Sequence, residues 1–164
     1  MKPWIFSVIT FALVACSSAP SPETKTAISA LKGLNSKLDV GINMVGYAEA
    51  LRETKVAVDQ AIEAEPKSKN TQVIKKVMDG HLAALQLWRC NLESTRYDTD
   101  APDKCRNTVY ETLIFPSYPE LQKKVEQEKS TYSSGTYIYN VNHDAVLQIL
   151  WQQAESDLNS LESK

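Results

Sequence analysis

Between Ser68 and Ser94 the apolar side chains recur every three or four residues: Ile74, Val77, Met78, His81, Leu82, Leu85, Trp88 and Leu92. That spacing lays them along one stripe of a helix, whereas a half-buried strand would alternate. Lys75, Lys76 and Arg89 fall outside the stripe. A helix with so broad an apolar face has to be covered, and the rest of the chain supplies the cover. A first helix from near Glu23 carries Ala27, Ile28, Leu31, Leu34, Leu38 and Ile42, and Gly41 and Asn43 are suited to end it and cap the next. The second runs to Glu65, stops at Pro66, and turns Tyr47, Leu51, Thr54, Val58, Ala61 and Ile62 inward. Its alanines at 50, 57, 61 and 64 let a neighbour approach closely.

After a polar loop from Thr95 to Asp103, a shorter helix holds Val109, Leu113 and Ile114 and ends before Pro116. Pro119 restarts the helix to about Lys129. A last stripe of Val146, Leu147, Leu150, Trp151, Ala154, Leu158 and Leu161 runs from Asn142 or His143 to about Glu162. The expectation is an all-α domain over 23–164, an antiparallel bundle of four to five helices. The Tyr/Ser/Gly-rich stretch Ser130 to Asn142 is its loop, with Gly135 as the turn. Only 5 glycines in 164 residues agree with helix over sheet.

Upstream of this domain, Lys2 precedes an apolar run from Trp4 to Val14. The run is about 12 residues, too short for a bilayer core that needs roughly 20. It reads as a secretory signal over residues 1–15. It ends in Leu13-Val14-Ala15-Cys16, which resembles the lipobox of bacterial lipoproteins. The resemblance implies that Cys16 is acylated with diacylglycerol and a fatty acid such as palmitate, and becomes the first mature residue. Residues 16–22 are then a lipidated tether. Ser17, in place of the aspartate that often retains such proteins at the inner membrane, points to the outer membrane, facing the periplasm. The alternative is a secreted protein with an incidental cysteine.

Lys2 is the only charge lost with residues 1–15, so 17 basic side chains face 20 acidic ones. The mature chain has no basic footprint for nucleic acid. With Cys16 acylated, Cys90 and Cys105 remain, and an even pair in an exported protein is most simply a disulfide.

Neither histidine has the company that chemistry needs. His81 lies on the apolar stripe and His143 beside Asn142 and Asp144, with no His-x-x-x-His or Cys-x-x-Cys near either. No metal, cofactor or catalytic set is expected, because no nucleophile elbow or glycine-rich phosphate loop occurs. Trp88 and Trp151 are either core or the wall of a ligand pocket between helices, with His81 beside them. Tyr132, Tyr137 and Tyr139 in the Ser/Gly-rich loop are an adaptable contact surface, a plug for the end of the bundle, or part of a small hairpin about Ser134-Gly135. The sequence therefore reads as a lipid-anchored cell-envelope protein that binds or assembles with an envelope protein or cell-wall partner. A small-ligand carrier with a cavity between helices is second, and an enzyme third.

Overall fold

In the computed structural model, residues 19–92, 101–127, 129–131 and 137–161 are described. The expected signal peptide, Cys16, the loop between Cys90 and Cys105 from 93 to 100, Tyr132 and the Gly135 turn lie outside them. Among the described residues the fold is an all-α bundle with one small hairpin.

Helix α1 (Pro22–Val40) begins on Ser21, whose side chain accepts the Thr24 amide at 3.1 Å. The helix therefore takes Pro22, which the sequence left in the tether, since proline suits a first helical position. Gly41 ends it at φ 93°, a left-handed conformation that favours glycine. Asn43 caps α2 (Met44–Ala64) by accepting the Gly46 amide at 2.8 Å. Thr24 Oγ1 donates to Glu65 Oε2 at 2.7 Å, tying the start of α1 to the end of α2. Helix α3 (Lys69–Leu92) follows at once and is the spine of the molecule.

The last helix, α7 (His143–Asn159), is capped by Asn142 and runs antiparallel to α3. Trp88 meets Trp151 near one end and Lys76 pairs with Asp157 at 2.9 Å near the other. The core forms two apolar clusters along this α3–α7 spine. One packs α1 and α2 through Leu31, Leu34, Leu51 and Val58. The other packs the residues between α3 and α7 through Tyr110, Ile114, Tyr118 and Val125. Trp88 and Trp151 touch both.

The second half departs from expectation at Pro116. Helix α4 (Ala101–Val109) widens into a π turn (Tyr110–Ile114), closed by the Phe115 amide on the Tyr110 carbonyl, and continues as α5 (Phe115–Ser117). A proline cannot join a regular ladder, and the wide turn just before it absorbs the mismatch, so the helix passes through Pro116. Helix α6 (Pro119–Glu126) restarts at Pro119 and stops short of Lys129. Lys129 instead opens β1 (Lys129–Thr131), which pairs antiparallel with β2 (Tyr137–Tyr139), Lys129 opposite Tyr139. The expected loop is thus a hairpin. Cys90 and Cys105 lie at disulfide distance, Sγ–Sγ 1.96 Å and Cα–Cα 5.5 Å, and join α3 to α4.

A second close approach needs a glycine. Tyr118 is fully buried and its hydroxyl donates to the Lys76 carbonyl at 3.3 Å. A Cβ on Gly80 would stand 2.2 Å from that hydroxyl oxygen. No helix among the described residues is long and apolar enough to cross a membrane.

Candidate functional site

His81, Trp88 and Trp151 come together, as their stripes suggested, and Tyr47 of α2 completes the group. The Tyr47 ring is fully buried, 6.0 Å from Trp88 and 6.0 Å from Trp151 between centroids, and the two indoles are 5.8 Å apart. Three polar contacts converge on the Tyr47 hydroxyl: His81 Nδ1 at 2.9 Å, the His81 carbonyl at 3.2 Å and Trp151 Nε1 at 3.2 Å. One proton assignment satisfies all three. Trp151 N–H and His81 Nδ1–H donate to the Tyr47 oxygen, and Tyr47 O–H donates to the His81 carbonyl. The tautomer is inferred from this network. It leaves His81 Nε2 as a bare acceptor, and that atom is indeed buried without a partner.

The electrostatics follow from the burial. A proton on His81 Nε2 would be a charge with neither water nor acceptor, so burial pushes its pKa from 6.5 down to about 4. Burial likewise raises the Tyr47 phenol, opposed only in part by the bond from Trp151. The imidazole is neutral, sealed and fully occupied at Nδ1. It has no route to a substrate.

The other histidine repeats the pairing under different conditions. Tyr110, the first residue of the π turn, is fully buried and its hydroxyl lies 2.8 Å from His143 Nδ1. His143 itself is only half-buried. Burial, and next the Arg106 guanidinium, lower its pKa to about 4, while Asp103 and Asp144 oppose them. Tyr110 stacks on Phe115 at 5.8 Å and meets the edge of Tyr139 at 5.3 Å. Tyr139 is 4 % exposed and its hydroxyl donates to Glu111 Oε1 at 3.3 Å. The tyrosine at the root of the hairpin is therefore a core side chain, while Tyr137 takes part in the strand pairing opposite Thr131.

Beside this cluster the surface opens into a groove of about 500 Å³ between α6, the link 140–142 that follows the hairpin, and the start of α7. Leu121, Val125, Val146 and Ile149 line it with apolar side chains, and Lys124 and Asn140 with polar ones. Among the described residues no group of three His, Cys, Asp or Glu side chains is placed to hold a metal ion. No family model, curated protein or solved structure matches the chain.

Sequence reasoning placed Tyr47 on an inner face without seeing its role. It also treated His143 only as part of a helix start. The partners are 34 and 33 residues apart, so no local motif announces either pair. The one available signal was that each tyrosine sits on or next to an apolar stripe, where a buried hydroxyl requires a partner.

Proposed function

We propose that this chain is a lipid-anchored cell-envelope protein that works by binding or assembly and not by catalysis. Its anchor is Cys16, on the strength of Leu13-Val14-Ala15-Cys16 after a basic, apolar start. The observation that carries the binding reading is the half-apolar groove beside the hairpin. Its place in the bundle fits an anchored protein. The tether enters at the start of α1, and α7 runs antiparallel to α3, so the start of α7 lies at the opposite end. The groove thus lies towards the end of the bundle away from the anchor, where a cell-wall or other envelope component across the periplasm could reach it.

Trp88 and Trp151 lie 5.8 Å apart and Tyr47 packs 6.0 Å from each, so these rings fill one another's space and a carrier would need a different cavity. His81, the histidine of the apolar stripe, is fully buried, which favours a structural role for it over an acid–base one.

The test is fatty-acid labelling combined with a photoreactive residue at Lys124, in intact cells. The parent chain should carry the label and give a discrete adduct with another envelope component. Cys16→Ala should lose the label and the processing. An unlabelled parent, or a labelled parent with no adduct from Lys124, would overturn this reading.

A further inference from the structure

A second concave site lies between α1 and α7, apart from the hairpin groove and independent of the reading built on it. It measures about 250 Å³, and Asn35 and Asp39 line it from α1, with Gln148, Trp151, Gln152 and Glu155 from α7. We propose that this pocket binds a small organic cation: a primary ammonium carried on a scaffold with further hydroxyl or amine donors.

The chemistry of the walls selects that class. Asp39 and Glu155 are acceptors only when ionised, and no basic side chain lines the pocket to neutralise them. Carboxylates elsewhere do find cations: Asp157, further along α7, pairs with Lys76 at 2.9 Å, and Asp59 on α2 pairs with Lys55 at 2.6 Å. The Asn35 Oδ1 in the wall is buried with no hydrogen-bond partner, a further acceptor awaiting a donor. Trp151 spends its one polar atom on Tyr47, at 3.2 Å, so the indole offers the pocket only its carbon framework. Negative charge, bare acceptors and an aromatic surface together suit an ammonium, which the ring quadrupole also attracts. They reject an anion by repulsion. A purely apolar ligand would leave the acceptors unpaired, which costs more than it gains.

Amino sugars and linear polyamines share this chemistry, and an experiment can separate them. The full-length purified chain is titrated with glucosamine, with putrescine and with glucose, reading the indole N–H resonance of Trp151 by NMR. A saturable shift with either amine that glucose does not reproduce supports the proposal, and the tighter amine identifies the source. Asp39→Asn with Glu155→Gln should weaken that binding about tenfold or more. Both side chains are exposed, so the double variant keeps its fold, and an unchanged resting indole spectrum verifies this. Three results overturn the site: no shift with either amine, glucose binding as tightly as glucosamine, or undiminished binding by the folded double variant.

Discussion

Tyr47–His81 and Tyr110–His143 are the same pair built twice, a phenol hydroxyl on an imidazole Nδ1 at 2.9 and 2.8 Å, in regions of opposite character. The first is closed on every side by long helices. Its histidine is fully buried, its tyrosine serves three contacts, and burial alone lowers the pKa of its histidine. The second lies under a π turn and a two-stranded hairpin, with a half-buried histidine tuned also by Arg106, Asp103 and Asp144. Water can replace a lost partner in the second region and not in the first. An identical local motif is therefore a structural keystone in one half and lies beside the groove proposed to bind in the other.

The largest expected effect falls on the second half. Reducing Cys90–Cys105 frees a loop of 15 residues, worth about 3 kcal/mol by the loop-entropy model. Because the bridge joins α3 to α4, hydrogen exchange should accelerate first in α4 and the π turn. Equal acceleration in α1 and α2 would mean that the halves are not separable.

Acid should act on both histidines, since the pKa values of His81 and His143 are each held down to about 4, and His81 is the one that is fully buried. His81 binds its proton more readily in the unfolded chain, at about 6.5, than in the fold, at about 4. Its contribution is therefore complete above pH 6.5 and is lost as pH falls through 4, about 3 kcal/mol at the limit. Urea midpoints between pH 7 and pH 3.5 check this. His81→Gln should flatten the part of the profile due to this residue, and an unflattened profile would put the acid sensitivity elsewhere.

The matched substitutions Tyr47→Phe and Tyr110→Phe compare the pairs directly. The first strands a buried indole N–H, the His81 Nδ1–H and a carbonyl, for a cost of about 2 kcal/mol. The second leaves a histidine that water can reach, for about 1 kcal/mol or less. Equal losses of stability would contradict the contrast between sealed and open sites.

Gly80→Ala is a smaller effect with a sharper diagnosis. Alanine should favour the helix by about 1 kcal/mol, yet its Cβ meets the Tyr118 hydroxyl at 2.2 Å, so a net loss of about 1 kcal/mol is expected. Tyr118→Phe in the same chain should recover it. Without that recovery, the clash is not the cause.

The sequence carried the bundle well where the pattern was long and regular. The stripe from Ile74 to Trp88, the Gly41 stop and the Asn43 cap are local physics and appear as read, whereas Leu92 at the end of the stripe is 61 % exposed. Pro116 was misread because the π turn that accommodates it depends on Tyr110 being drawn into the second core. The hairpin was only an alternative in the sequence, beside a contact loop and a plug, for a related reason. Its strands are three residues each, and Tyr139 is held by Tyr110, Phe115 and Glu111 more than by any strand propensity. The two Tyr–His pairs were invisible because tertiary packing alone brings their members together.

The central claim, that the sealed half holds the fold while the hairpin half binds, is tested most directly at Ala145. This residue is exposed on the groove wall, three positions after the Asn142 cap. A glutamate there suits the first turn of α7, so Ala145→Glu should leave the melting temperature unchanged or slightly raised. It also puts a carboxylate into the half-apolar groove and should abolish the adduct formed from Lys124. Tyr47→Phe, measured alongside, should lower the melting temperature and keep the adduct in the folded protein. An undiminished adduct in Ala145→Glu, at full thermal stability, would contradict the account.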